Sequence, residues 1–265
     1  MQKKQLFEKI DQVRKKKDRL LPQIHREFQL RRWRKDAALI SKNIFSGRTF
    51  FNPPRYLKLI ELIPLEDTKK DVISFIRQFA EEKLGKGVVE AKDTPNFIAN
   101  RIGTYGLLVT VHEMVKNGYT VGEVDSVTGP LIGRPKSATF RTLDVVGLDT
   151  FLHVAKNVYD ETEGDERAMF DPPQFMKNMA GNGWIGAKSG QGFYLKKDGA
   201  ITQLNPETME YEPRNKLKAP SIERTKAIKS KKEKLKTVVF ADDKAGNLLW
   251  AIISPVLVYT AEKNV

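Results

Sequence analysis

The sequence predicts an α/β domain followed by a mainly α-helical domain, on three observations. A strand–helix–strand unit runs from "FFNPPRYLKLIELIPL" through "DTKKDVISFIRQFAEEKLGKG" to "VVEAKD". A long apolar stretch, "NFIANRIGTYGLLVTVHEMVKNG", then has the length of a core helix and ends at Gly118. The last segment, "DDKAGNLLWAIISPVLVYTAEKNV", repeats that rhythm, with Lys244 and Gly246 standing as Arg101 and Gly103 do.

In chain order, Leu6, Ile10 and Val13 fall at helical intervals and predict an amphipathic first helix. Two apolar runs around Pro53-Pro54 follow, with Leu57, Leu59 and Glu61 on one face of a strand. The next helix carries Val72, Phe75, Ile76 and Phe79 as its buried stripe, with Gly85 as its stop. Asp93 or Thr94 is expected to cap the long helix, with Pro95 in its first turn. "TVGEVDSVTG" and "TFRTLDVVGLDTFLHVAKNVYDET" supply further helices, and the glycine-rich "MAGNGWIGAKSGQGFYLKKDGAITQL" ends in a hairpin. "NKLKAPSIERTKAIKSKKEKLKTVVFA" reads as a charged connector and an exposed helix.

The 265 residues contain no cysteine, which excludes disulfides, thiolate metal sites and cysteine nucleophiles. Three histidines, His25, His112 and His153, make a histidine-rich metal site an unlikely design, and none is expected. No apolar run reaches the roughly 18 residues that span a bilayer, and the N-terminal stretch lacks a signal peptide's apolar centre, so the cytoplasm is the expected compartment. The net charge is +13. It is concentrated between Arg14 and Arg48 and between Arg214 and Lys236, and the rest of the chain is net negative. Such runs attract phosphate without specificity, and here they read as solvated faces rather than a nucleic-acid surface.

Four stretches, "FFNPPRYLKLIELIP", "GKGVVEAKDTPNFIANRIG", "VDSVTGPLIGRPKSATFRTLDVVGLDT" and "GWIGAKSGQGFY", together resemble the 3-hydroxyacyl-CoA dehydrogenase family, in particular the long bacterial multifunctional β-oxidation proteins. The resemblance implies a Rossmann-type domain for NAD, then an all-α domain that shapes the acyl-CoA pocket and the homodimer contact. The implied reaction oxidises a 3-hydroxyacyl thioester to the 3-ketoacyl form. Loss of hydride from C3 needs a base for the hydroxyl proton, and an imidazole oriented by a carboxylate suits that task near neutral pH. The family's histidine immediately precedes "FFNP", and its carboxylate lies twelve residues later. Glu61 occupies the carboxylate position, whereas Thr49 stands where the histidine is expected. Asn52 and Asn100 match positions near the reactive end of the substrate, where an amide can hold a thioester or hydroxyl oxygen.

The family's "SNTS" segment and nucleotide fingerprint are not found. The formal G-x-G-x-x-G at Gly181, Gly183 and Gly186 follows a helical pattern instead of a strand, so no cofactor-binding residue is assigned. Residues 18–49 are basic and lack periodicity. If they are written in suitable codons and read one nucleotide earlier, they can yield both "SNTS" and "HFF" at the family spacing. Lys15–Lys17 and Phe50–Phe51 would be encoded by runs of adenine and thymine, where single nucleotides are lost or gained. A frame-shifted passage, without order or with only an opportunistic helix, is the resulting expectation for 18–49, leaving strands near Phe51, Leu59 and Val89.

The expected organisation is a truncated NAD-binding domain over 1–92, a helical dehydrogenase domain over 93–198, and a linker with an incomplete second helical repeat over 199–265. As written, the chain is expected to be a fragment without turnover. One alternative is a non-catalytic helical dimerisation module, in which Ile98, Ile102 and Leu107 to Val111 meet a second copy. A dehydrogenase of small β-hydroxyacids is the other. His25, His112 and His153 are read as incidental or structural, Lys188-Ser189-Gly190 as packing support, and Lys216 to Lys236 as a solvated face rather than a CoA contact.

Overall fold

A computed structural model describes residues 23–24, 46–50, 55–66, 68–197 and 199–262. The chain divides into two compact units, Met1–Arg101 and Ile102–Asn264.

The first unit holds a four-stranded sheet in the order β1 (Gln23–Ile24), β2 (Ser46–Phe50), β3 (Leu59–Pro64), β4 (Gly87–Glu90). β1 and β2 run parallel, β2 and β3 antiparallel, and β3 and β4 parallel. β2 abuts the strand expected near Phe51 but begins, like β1, inside the 18–49 segment expected to lack order or to form a helix. Its Thr49 and Phe50 are residue types that favour strands, and the pairing itself needs only backbone groups. Arg31 to Lys35, His25, Asn52 and the first expected helix lie outside the described residues. The β3–β4 crossover contains α1 (Lys70–Gln78), which continues as a π-helical turn over Phe79–Lys83. Its buried side is Val72, Ile76 and Ala80. Phe75 and Phe79, expected in that stripe, instead stack on each other at 6.4 Å and are 53% and 47% exposed. A helical period fixes which residues share a face, but several apolar faces can satisfy it.

The second unit is helical: α2 (Ala99–Asn117, which starts in the first unit), α3 (Val121–Val127), α4 (Phe140–Val146), α5 (Leu148–Glu161), α6 (Gly164–Met169) and α7 (Gln174–Gly181). The antiparallel strands β5 (Tyr194–Lys197), β6 (Ala200–Leu204) and β7 (Tyr211–Pro213) follow, extending the expected hairpin by one strand. α8 (Pro220–Thr225), α9 (Lys231–Val239) and α10 (Lys244–Glu262) close it. α3 begins with a full capping box between Thr120 and Glu123. The stretch 139–162 holds two helices, because Gly147 at φ 96° ends α4 and starts α5.

α10 packs antiparallel on α2. The Tyr119 hydroxyl donates to the Lys244 carbonyl (3.1 Å), Gly106 faces Val256, and the rings of Tyr105 and Tyr259 stack at 3.9 Å. Leu108, Val109 and Val111 are buried within the chain itself. The alternative reading of the sequence as a dimerisation module places them against a second copy.

Candidate functional site

The site is built from strand β3 and the first turn of α2, both in the first unit. Glu61 sits in the middle of β3, flanked by Ile60, Leu62 and Ile63, and is fully buried. Its Oε1 accepts from the backbone amides of Ile98 (3.2 Å) and Ala99 (2.6 Å). Its Oε2 has no hydrogen-bond partner among the described residues. Burial raises the Glu61 pKa above the usual carboxylate value, opposed by the hydrogen bonds from Ala99 and Ile98.

The chain enters α2 differently from the expectation. Instead of a helix capped at Asp93 or Thr94, residues 95–98 form a turn in which Asn96 (φ 58°) and Phe97 (φ 53°) are both left-handed. Asn tolerates that region, whereas a buried Phe seldom enters it. Phe97, 2% exposed, is held there by Ile63, Leu65 and Ala91. The turn brings two successive N–H groups to the Glu61 carboxylate, as an anion-binding backbone nest does. Asn100 follows as the second residue of α2 and is half-buried.

Thr49 lies in β2 directly opposite Glu61 in the ladder. Position 49 is thus the backbone partner of Glu61, and Glu61 binds the turn before Asn100. Asn52 lies outside the described residues.

The remaining candidates have structural explanations. His112 lies in α2, where burial lowers its pKa against backbone hydrogen bonds to Met169 and Asp171. His153 lies on α5. Among the described residues, no cluster of three His, Asp or Glu side chains could hold a metal ion, and no helix is long and apolar enough to cross a membrane. Lys188 pairs with Asp149 (2.7 Å), and the Ser189 hydroxyl donates to the carbonyls of Gly186 (3.1 Å) and Gln191 (2.9 Å).

Gly181, Gly183 and Gly186 do not form a phosphate cradle. A Cβ on Gly186 would strike the Asp144 backbone, and the Asp144 carboxylate, which would repel a phosphate, sits against Gly192 and accepts from the amides of Phe193 (2.8 Å) and Tyr194 (3.0 Å). The described residues thus provide no glycine-rich turn between a strand and a helix that fits a dinucleotide.

Sequence reasoning missed two features. One is the left-handed pair at 96–97, for which the only signal was Asn96 after a proline. The other is a buried polar cluster in which Asp125 accepts from the amides of Thr139, Phe140 and Arg141 and from the Tyr194 hydroxyl (2.9 Å).

Family comparison agrees with this architecture. Residues 1–94 match the family model "3-hydroxyacyl-CoA dehydrogenase, NAD binding domain", and residues 97–196 match "3-hydroxyacyl-CoA dehydrogenase, C-terminal domain". A "Probable 3-hydroxyacyl-CoA dehydrogenase" of Bacillus subtilis (strain 168) is 62% identical over 218 residues, 82% of this chain and 28% of that protein. A relative of the same description from Deinococcus radiodurans is 51% identical over 152 residues, 57% of this chain and 43% of that protein. The crystal structure of M. tuberculosis FadB2 superposes with a TM-score of 0.62 at 29% identity, over 73% of this chain and 66% of that one. A Rossmann-type NAD-binding domain joined to a helical domain is the class these features define. The chain belongs to the 3-hydroxyacyl-CoA dehydrogenase family. It spans less than half the length of these two curated relatives.

Proposed function

We propose that the chain derives from an NAD-dependent 3-hydroxyacyl-CoA dehydrogenase of fatty-acid β-oxidation, oxidising 3-hydroxyacyl-CoA to 3-ketoacyl-CoA, and that as written it lacks the base for that reaction. The observation that carries this reading is the buried Glu61 carboxylate, with one oxygen engaged by the turn into α2 and the other without a partner among the described residues, on the residue paired with position 49 in the ladder. A carboxylate so placed suits the orientation of an imidazole and the stabilisation of its protonated form. A threonine hydroxyl at that position cannot take a proton near pH 7. Asn100 is assigned to a substrate oxygen, and so is Asn52 by its position in the sequence. NAD is the family's cofactor. The described residues offer it no cradle, so no step is assigned through it.

Assembly as a homodimer through the helical unit is part of the proposal. Leu108, Val109 and Val111 are buried, so pairing would use exposed apolar side chains such as Trp250, Leu257 and Val258. The cytoplasm is the proposed compartment, on the sequence grounds given above.

The test is binding of acetoacetyl-CoA, followed by tryptophan fluorescence. Two forms would be compared: the chain as written, and a chain in which residues 18–51 carry the alternative reading frame and so place histidine at 49. Tighter binding by the second form is expected. Failure of both forms to bind would refute the reading.

A further inference from the structure

We propose that Glu61 is the positioning residue for Asn100, holding the substrate-facing amide in place through the first turn of α2. The inference rests on the assignment of Asn100 to the substrate.

Helix N-termini are ordinarily satisfied locally, by a side chain at the cap reaching the next two or three amides. Here the acceptor comes from 37 and 38 residues earlier in the chain, across the core of the unit. A carboxylate is a strong acceptor for such amides, since its charge is favoured by the helix dipole. It also has a task that a local cap would not have. The two residues before these amides, Asn96 and Phe97, occupy the left-handed region consecutively. A strained conformation persists only where its surroundings over-determine it. Two constraints do so here: burial of the Phe97 ring among Ile63, Leu65 and Ala91, and the grip of Glu61 Oε1 on the next two N–H groups.

Asn100 follows immediately on the second of those groups, so the carboxylate fixes where the helix starts and which way its second residue leaves the axis. Because Oε2 of the same group is buried and has no partner among the described residues, a single carboxylate on β3 links position 49 of β2 to the amide that would hold the substrate oxygen. A shift of one is transmitted to the other. The strain at 96–97 supplies the restoring tendency if the grip is loosened.

Glu61→Gln keeps the shape and removes the charge, so it separates the grip from simple packing. In the chain as it exists, amide hydrogen exchange at Ile98 and Ala99 is expected to accelerate at least tenfold in Glu61→Gln. The amides of Leu108 and Val111, further along the same helix, should stay unchanged and report that the fold is intact. The side-chain NH2 resonances of Asn100 are expected to shift in the same variant. Unchanged exchange at 98 and 99, or unmoved Asn100 resonances, would overturn the inference whether or not any thioester binds.

Acetoacetyl-CoA affinity supplies the coupling. Glu61→Gln and Asn100→Ala should each weaken it, and the double variant should be no weaker than Asn100→Ala alone. Losses that multiply would mean that Glu61 acts independently of Asn100. If the unaltered chain shows no acetoacetyl-CoA binding in either frame, the functional reading fails, and the exchange and resonance measurements still decide the positioning role.

Discussion

Thr49 is the register partner of Glu61 in the antiparallel ladder of β2 and β3, and the Glu61 carboxylate keeps one buried oxygen without a partner among the described residues. Thr49→His would place an imidazole at that position. A neighbouring carboxylate favours the imidazolium, so the new histidine is expected to titrate above the ordinary value of about 6.5. Its pairing would stabilise the fold below about 6.5 and fade as pH rises through the raised value. An NMR titration reads this directly. Adding Glu61→Gln should return the midpoint to or below about 6.5, and a midpoint insensitive to Glu61 would show that the two positions do not interact.

Asp144 is expected to give the helical unit a pH dependence of the same sign, from a carboxyl group. Burial raises its pKa from 3.8 to about 6, against the hydrogen bonds from Phe193 and Tyr194. A carboxyl with a raised folded value contributes fully below its unfolded pKa and loses that contribution as pH rises through the folded one. The unfolding free energy should therefore fall between about pH 4 and pH 6, by at most about 3 kcal/mol from this group. Asp144→Asn should flatten that part of the stability curve. Urea unfolding across this range, comparing the two proteins, provides the check.

Gly147 joins α4 to α5 at φ 96°, and a Cβ there would strike the Lys188 side chain and Asp149 Oδ1. Gly147→Ala should cost about 1–3 kcal/mol in urea unfolding, through backbone strain and displacement of the Lys188–Asp149 pair. Lys188→Ala should cost much less, since an exposed ion pair contributes about 0–1 kcal/mol. Equal costs would place the effect in the ion pair instead of the backbone.

The seam between α2 and α10 is tight at Gly106, where an added Cβ would lie 3.3 Å from a Val256 methyl. Gly106→Leu is expected to force the helices apart and lower stability by about 1–3 kcal/mol. Loss of the Tyr105–Tyr259 stack should appear as altered near-ultraviolet circular dichroism. An unchanged spectrum with full stability would mean that the seam yields.

Much of this architecture was legible in the sequence. The long helices announced themselves by unbroken apolar length, and Glu61 by its position in an apolar strand beside a recognisable motif. What escaped was set by tertiary context. The burial of Val72 and Ile76 rather than Phe75 and Phe79 depends on which side of α1 meets the sheet, and periodicity is silent on that choice. The left-handed pair at Asn96 and Phe97 runs against local propensity and is held by Ile63, Leu65, Ala91 and Glu61, all distant in sequence except Ala91. The apolar run from Leu107 to Val111 was legible as a packing surface. That it packs within the chain was not legible, because its neighbours in the core are distant in sequence. At the site, the Glu61 position was visible, whereas the division of its two oxygens between α2 and an open position required coordinates.

The most direct measurement is the appearance of NADH absorbance when the purified chain is mixed with NAD and 3-hydroxybutyryl-CoA. With threonine at 49, no NADH above the protein-free rate is expected. Sustained NADH formation that disappears in Glu61→Gln would contradict the claim that the base is missing.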